Sequence, residues 1–81
     1  MNVEEAIAII EKTFPDRKIN SSGCIYEGKY CFSTVLKDYV EGTPNWDNTV
    51  AAVDIKTGEV SEFSALSGNY MTDAKPLTRE S

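Results

Sequence analysis

The stretch DIKTGEVSEF, residues 54–63, predicts a β-hairpin and does most to define the fold of this chain. Its centre, KTG, suits a type I turn in which Gly58 takes the left-handed conformation and introduces a bulge. Alternating apolar residues on both sides of the turn indicate two paired strands. The residues expected to meet across the hairpin are Val53, Ile55 and Val60.

The acidic residues of this hairpin, Asp54, Glu59 and Glu62, could be interpreted as an acid–base or cation site. A calcium loop needs the DxDxDG ligand spacing, which the sequence lacks. Glycoside hydrolysis needs two carboxylates held across a cleft, and a small sheet with one helix offers little cleft. We interpret the acids as solvated charges on the outer face of the sheet, with Val60 and Phe63 facing the helix.

The N-terminal segment predicts one amphipathic helix. Asn2 can cap it, and Glu5 lies three residues later, as in a capping box. Pro15 disfavours helical geometry at Phe14, so the helix should end there. The apolar residues that fall on one face at helical spacing are Val3, Ala6, Ile7, Ile10 and Phe14.

A second hairpin is predicted over Lys18–Tyr26 and Lys29–Lys37, because apolar residues alternate on both sides of Glu27-Gly28. Gly28 supplies the positive φ that a two-residue turn requires. The expected pairs are Tyr26 with Lys29, Ile25 with Tyr30, and Cys24 with Cys31. The residues expected on the inner face are Ile19, Ile25, Tyr30, Phe32, Thr34 and Leu36.

The remaining segments complete an α+β domain. KDYVEGTPNWDN, residues 37–48, is rich in turn formers and predicts a connection, after which NTVAAVDI resumes strand character. We predict one N-terminal amphipathic helix packed on a four-stranded antiparallel meander sheet, in a single domain over residues 1–77 with a frayed tail at 78–81. The C-terminal residues expected to dock on the sheet are Leu66, Tyr70 and Leu77, with a helical turn near Tyr70–Ala74.

Composition restricts the possible partners. The chain has 81 residues, with 13 acidic and 8 basic side chains and a net charge of −5. Such a surface argues against direct binding to nucleic acid or to anionic membranes, and it permits a basic protein partner. The N-terminus lacks a basic segment and a long apolar run, so we expect no signal peptide, no membrane span and a cytoplasmic location.

The absence of histidine removes the usual Ser-His and Cys-His catalytic arrangements and His-ligated metal sites. No phosphate-binding glycine motif is present. Cys24 and Cys31 could be a redox pair or half of a metal site, but two thiols fall short of four zinc ligands. We interpret them as two small, semi-buried, reduced side chains. We therefore expect no enzymatic activity, no cofactor and no metal.

The connection after the second hairpin is the predicted partner-binding site. Tyr39 and Trp46 lie there beside carboxylates, a composition that resembles the anchors and rims of protein interfaces. The alternative is that Trp46 folds back to cap a core that is short of apolar volume. The candidate partner-binding residues are Tyr39, Glu41, Trp46 and Asp47.

The order of helix, KYCFSTVLK, TVAAVDIKTGEVSEFS and AKPL resembles that of small proteins of Gram-positive bacteria and their phages. The V-D-x-x-T-G-E-V hairpin is also similar to that of immunity proteins of bacterial polymorphic toxin systems and of the PepSY-like, cystatin-like α+β fold. The matching residues are Asp54, Thr57, Gly58 and Glu59. The resemblance implies a binding protein without enzymatic activity, encoded by a phage or mobile element and located in the bacterial host cell.

Two classes of function follow. The first is a non-catalytic protein-binding module that inhibits or occludes a host or toxin protein, for which an acidic surface would suit a basic partner. The second is a small virion or assembly accessory protein that oligomerises through an exposed edge strand.

Overall fold

The computed structural model describes residues 1–40, 42–44 and 48–77. The predicted frayed tail at 78–81 therefore lies outside the described residues. In chain order the elements are α1 (Val3–Thr13), β1 (Arg17–Ile19), β2 (Cys24–Tyr26), β3 (Lys29–Leu36), β4 (Thr49–Asp54), β5 (Val60–Ser64), α2 (Tyr70–Asp73) and β6 (Lys75–Pro76).

Helix α1 begins with the predicted capping box. The Glu5 backbone N–H donates to Asn2 Oδ1 at 2.8 Å, and the Asn2 backbone N–H donates to Glu5 Oε1 at 3.1 Å. These two bonds satisfy backbone donors that the first turn of a helix leaves free. The helix ends at Thr13 with Phe14 as its C-cap, so the helix predicted from the Asn2 and Pro15 signals is confirmed.

The sheet is antiparallel, with the strand order β5-β4-β3-β2-β6, and β1 also pairs with β3. The predicted α+β class, with an N-terminal helix and an antiparallel sheet, is confirmed. The predicted number of four strands is wrong, because the sheet has six strands. One additional strand comes from division of the Lys18–Tyr26 arm, and the other is β6.

The division of this arm has a local cause. Ile19 lies opposite Thr34 and Cys24 lies opposite Cys31, so five residue steps on one side face three on the other, and two residues are extra. Within the break, Ser21 Oγ accepts a hydrogen bond from the Ser33 backbone N–H at 3.0 Å. A side chain thus replaces a strand partner where the pairing is interrupted.

Gly23 closes the break in a conformation that suits glycine, with φ +92°. A Cβ atom built on it would lie 2.7 Å from Cδ1 of Phe32, so the backbone approaches the ring as closely as glycine allows. The Gly23 carbonyl accepts from the Leu77 backbone N–H at 3.1 Å. This bond ties the C-terminal segment beside β2.

Strand β6 is formed by Lys75 and Pro76, which pair with Ile25 and Cys24. A strand of two residues is too short to show an alternation of apolar and polar side chains, and proline is depleted in strands. The sequence therefore contains no signal for this element. Pairing to β6 covers the side of β2 that does not pair with β3.

Both faces of the sheet are buried at its centre. The cluster between α1 and the sheet consists of Ala6, Ile10, Phe32, Ala51 and Val53. The cluster on the other face, here called the outer face, consists of Cys31, Val50, Ala52 and Tyr70, with Cys24, Tyr26, Phe63, Ala65 and Ala74 packed against it. The outer face is therefore a second apolar core beneath α2, and it is not the solvent-exposed surface that the sequence predicts.

Several side chains differ from their predicted positions. Phe63 faces the outer cluster while Val60 faces α1, because the two lie an odd number of residues apart and side chains alternate along a strand. Leu66 does not dock and is 69% exposed. Ile25 and Leu36 lie opposite Tyr30 and Arg17, near the sheet margin, and they remain 38% and 48% exposed.

Candidate binding groove

The Tyr39 part of the predicted loop site is held against the protein. Lys18 Nζ donates to the Tyr39 backbone carbonyl at 3.0 Å and lies 5.9 Å from the centre of its ring. The Tyr39 hydroxyl donates to the Thr43 carbonyl at 2.9 Å. Tyr39 is half-buried, and it is the one member of the predicted set that the structure describes. Glu41, Trp46 and Asp47 lie outside the described residues.

The acidic hairpin is built as a turn. The Asp54 carboxylate accepts from the backbone N–H groups of Lys56 and Thr57, at 2.8 and 3.0 Å. Hydrogen bonds from Thr57 and Lys56 lower the pKa of this carboxyl below its usual value. The Gly58 N–H donates to the Asp54 carbonyl at 2.8 Å, and Gly58 has φ +77°. The predicted left-handed glycine is confirmed.

The reversal also includes Ile55, which was expected in the strand. Strand β4 ends at Asp54, and Val53 alone of the two predicted residues lies opposite Val60. The Ile55 N–H donates instead to the Gly28 carbonyl at 3.1 Å, which joins the two hairpin turns. The hairpin that defines the fold therefore takes one more residue in its loop than the turn chemistry alone indicates.

Three aromatic side chains meet on the outer face. Tyr26 of β2 lies 6.2 Å from Phe63 of β5 and 5.4 Å from Tyr70 of α2, measured between ring centroids. Phe63 and Tyr70 are 5.2 Å apart, and both pairs that include Tyr70 are edge-on. Edge-to-face packing at these distances is favourable beyond the burial of area. We call these three residues the aromatic cluster.

A groove of about 340 Å³ opens beside the aromatic cluster. Strand β5, the β2–β3 hairpin and the segment before α2 all contribute to it. Its lining residues are Tyr26, Glu27, Lys29, Ser61, Glu62, Phe63, Ser67 and Gly68. Two aromatic rings thus meet a rim with the Glu27 carboxylate and the Lys29 ammonium group, and we call this site the outer groove. Glu62 borders it along β5, but its side chain lies on the α1 face, two residues from Val60.

Tyr26 and Glu27 also line a second hollow of about 340 Å³. Partial burial and the neighbouring Glu27 raise the pKa of the Tyr26 phenol, and the Asn69 backbone opposes this rise more weakly. Tyr26 is therefore a neutral phenol at physiological pH. The second hollow is lined by Ile25, Tyr26, Glu27, Asn69, Asp73 and Lys75.

The two cysteines lie beneath the aromatic cluster, directly opposite each other as predicted. Cys24 is half-buried, and its Sγ lies 3.0 Å from the Tyr70 hydroxyl. Cys31 is fully buried, more than the semi-buried position expected. Burial, with a smaller effect of Cys24, raises the pKa of the Cys31 thiol to about 12. Burial and the hydrogen bond with Cys24 also raise the pKa of Tyr70.

Within residues 1–40, 42–44 and 48–77, no three Cys, Asp or Glu side chains cluster in a way that could hold a metal ion. Across the same part of the chain, no helix has the length and apolar character needed to cross a bilayer.

The residues that line the outer groove were not predicted from the sequence as a binding site. A signal for it exists in the alternation of side chains: Phe63 lies an odd number of positions from Val60, and Tyr26 shares the face of Cys24. Both aromatic residues therefore had to lie away from α1. The segment Ser67-Gly68 carries no such periodicity, so its position over the sheet could not be predicted.

Comparison with known proteins adds no relative: no family model matches the chain, and neither does a curated protein or a solved structure. The resemblance to phage proteins and immunity proteins stays a prediction.

Proposed function

We propose that this chain is a non-catalytic protein-binding module that inhibits or occludes a protein partner through the outer groove. The observation that carries the proposal is the combination of an open groove, two aromatic rings and a rim with a carboxylate and an ammonium group on one surface. Aromatic side chains that present an apolar body and a polar tip are typical anchors of protein interfaces.

The groove chemistry suggests the kind of partner segment. Tyr26 and Phe63 offer ring surface to an aromatic or aliphatic side chain. Glu27 offers a carboxylate to Lys or Arg, and the net charge of −5 attracts such a segment over a longer range. We therefore propose a partner that inserts one large apolar side chain flanked by basic residues. A toxin or nuclease with a basic surface, in the bacterial cytoplasm, fits the resemblance described above.

The test is selection of displayed random peptides against the purified protein, followed by affinity measurement. We expect enriched peptides to combine an aromatic or large aliphatic residue with Lys or Arg. Ser61→Trp, which fills the groove from an exposed position of β5, should abolish their binding. Peptides that bind the Ser61→Trp protein as well as the wild type would show that the groove is not the site.

A matched pair of charge reversals isolates the role of the rim. Glu27 lines the groove, whereas Glu11 lies exposed on α1, and each change to Lys alters the net charge equally. A lost rim contact of about 1 kcal/mol corresponds to an affinity decrease of about fivefold. We expect that decrease for Glu27→Lys and less than about twofold for Glu11→Lys. Equal effects of the two variants would exclude a specific role of the rim.

The loop that contains Tyr39 remains a second candidate surface, with Glu41, Trp46 and Asp47. Tyr39 is anchored through Lys18, which pairs with Val35, whereas the groove lies at the Lys29 end of β3. Six strand residues span about 20 Å, so Tyr39 lies apart from the outer groove. A Tyr39→Ala, Trp46→Ala double variant that folds normally and keeps full affinity would exclude the loop.

Assembly through an edge strand is the alternative function. Among the described residues β5 pairs with β4 alone, which leaves its other edge open to a further strand. Glu62 lies in the middle of that edge, and a charge there opposes pairing between copies. Light scattering after size exclusion separates the two proposals, because a ring or higher oligomer supports assembly and a monomer supports the binding module.

A further inference from the structure

Cys24 and Cys31 are the nucleophilic groups that the proposed groove binding does not use. They occupy facing positions of β2 and β3, and both are free thiols. They also lie under the aromatic cluster, since both pack in the outer-face core with Tyr70. A chemical change at this pair would therefore act directly beneath the outer groove.

The hairpin geometry brings the two thiols within bonding reach. Glu27 and Gly28 form a two-residue turn with φ values of +51° and +73°, which makes Tyr26–Lys29 a hydrogen-bonded closing pair. Pairs alternate along an antiparallel ladder, so Cys24–Cys31 is hydrogen-bonded as well. The Cα atoms of such a pair are about 5.5 Å apart. Disulfides form at Cα separations of about 4.4–6.8 Å.

A bond at this position would be easily reduced. The Cβ atoms of facing residues are about 4.5–5.5 Å apart, with hydrogen-bonded pairs at the wider end. Disulfides prefer a Cβ separation of about 3.8 Å, so closure must draw β2 and β3 together locally. Strained disulfides have higher reduction potentials and belong to the labile, regulatory kind. Such disulfides also occur transiently in reducing compartments.

The two thiols differ in access. Cys24 is half-buried and reaches the Tyr70 hydroxyl, whereas Cys31 is 0% exposed. A soluble disulfide therefore meets Cys24 first, and Cys31 can react only from inside the protein.

We propose that Cys24 and Cys31 form a reversible disulfide that lowers the affinity of the outer groove for its partner; this regulation rests on the proposed function. The oxidant is a low-molecular-weight disulfide such as glutathione disulfide. The Cys24 thiolate attacks one of its sulfurs and releases one glutathione, which leaves a mixed disulfide on Cys24. The Cys31 sulfur then attacks the Cys24 sulfur, and the departing glutathione thiolate takes up the Cys31 proton and leaves as the second glutathione. The protein loses two protons and two electrons, and the oxidant gains them.

Closure of the bond reaches the groove through Tyr70. The Cys24 sulfur turns toward Cys31, so the buried Tyr70 hydroxyl loses the partner that it has at 3.0 Å. Tyr70 packs edge-on against Tyr26 and Phe63, and these two rings line the groove. Displacement of Tyr70 therefore moves the surface that the partner contacts.

The chemical part of the proposal is tested without any partner. The folded protein is incubated with glutathione disulfide and its intact mass is measured. Wild type should lose the mass of two hydrogen atoms and carry no glutathione. Cys31→Ala should keep one glutathione on Cys24, and Cys24→Ala should remain unmodified. A wild-type protein that accumulates the mixed disulfide, or that forms disulfide-linked dimers, would overturn the pairing.

Cys31 is fully buried, so its replacement could disturb the fold. The mass result for Cys31→Ala is interpreted only if its circular dichroism spectrum matches that of the folded wild type. The wild-type result stands alone in any case, because a return of two free thiols after addition of dithiothreitol distinguishes a reversible disulfide from irreversible oxidation. Wild type that fails to close under conditions that glutathionylate Cys24 in Cys31→Ala overturns the proposal.

The regulatory part uses a peptide obtained in the selection described above. We expect the oxidised protein to bind it at least about tenfold more weakly than the reduced protein, a change of about 1.4 kcal/mol. A disulfide that forms without a change in affinity overturns the regulation and leaves the proposed function intact. Absence of peptide binding by the reduced protein overturns the proposed function, and the mass measurement still decides whether the thiols pair.

Discussion

Gly23 shows how one residue restricts the arrangement of the sheet. It lies at the end of the break between β1 and β2, with φ +92° and the Phe32 ring against the position that a Cβ atom would occupy. A side chain at this position meets two obstacles, the backbone conformation and the ring. Gly28 has a similar φ of +73°, but no atom lies within 4 Å of the Cβ position.

The two glycines therefore form a matched pair for mutation. Gly23→Ala should destabilise the protein by about 3 kcal/mol, the sum of left-handed strain and overpacking against a core ring. Gly28→Ala should cost only the strain, about 1 kcal/mol. Urea unfolding followed by circular dichroism measures both. If Gly28→Ala is as costly as Gly23→Ala, the close approach to Phe32 does not determine the effect.

Asp54 makes the stability of the protein depend on pH. Backbone donors lower its pKa in the folded protein, so the carboxylate stabilises the fold above the unfolded pKa of about 3.9. That contribution to stability is lost as the pH falls through the pKa that Asp54 has in the folded protein. We therefore expect Asp54→Ala to be less stable than wild type at neutral pH and the difference to shrink in acid. Urea titrations between about pH 2 and 7 measure it, with the exposed Asp38→Ala as control.

Elements were predicted best where short-range chemistry determines them. The capping signal of α1 and the two-residue turn at Glu27-Gly28 gave the correct helix and the correct register of β2 with β3. The break at residues 20–23, β6 and the position of α2 depend on contacts between distant parts of the chain. No local pattern encodes such contacts, so the sequence predicted four strands where the protein has six.

Helix α2 is short, and Tyr70 holds it on the outer face. Tyr70 is buried, contacts two aromatic rings and bonds to Cys24. Tyr70→Ala should cost about 3 kcal/mol or more through loss of the ring, and Tyr70→Phe about 1 kcal/mol through loss of the hydrogen bond. Thermal unfolding ranks the variants. Equal stability of the Ala and Phe variants would show that the ring does not anchor α2.

At the scale of the whole molecule, the two faces of the sheet have different roles in the proposal. One face carries α1 and the larger apolar cluster, while the other carries the thiols, the aromatic cluster and the groove. The composition gave the net acidic charge, but it contains no information about which surface of the fold binds a partner. The predicted loop site rested on residue types beside one another in sequence, whereas the groove assembles residues from distant segments.

Net charge makes partner binding sensitive to salt. The charge of −5 should attract a basic peptide, and raising the salt from about 0.1 M to about 1 M shortens the Debye length from about 10 Å to about 3 Å. We expect the peptide affinity of the groove to fall at least about fivefold over this range. Isothermal titration at both salt concentrations measures it. An unchanged affinity would exclude electrostatic attraction as a part of recognition.

The break between β1 and β2 has a consequence for local opening. Strand β3 is held on one side by two short strands with separate registers, so β1 can detach while β2 stays paired. The Asn20 and Lys37 amides bond on the β1 side, and the Leu77 amide bonds to Gly23 on the other. In hydrogen exchange, the first two should lose protection together at lower denaturant than Leu77. Tyr39, whose carbonyl accepts from Lys18 of β1, would then be released while the outer groove remains formed.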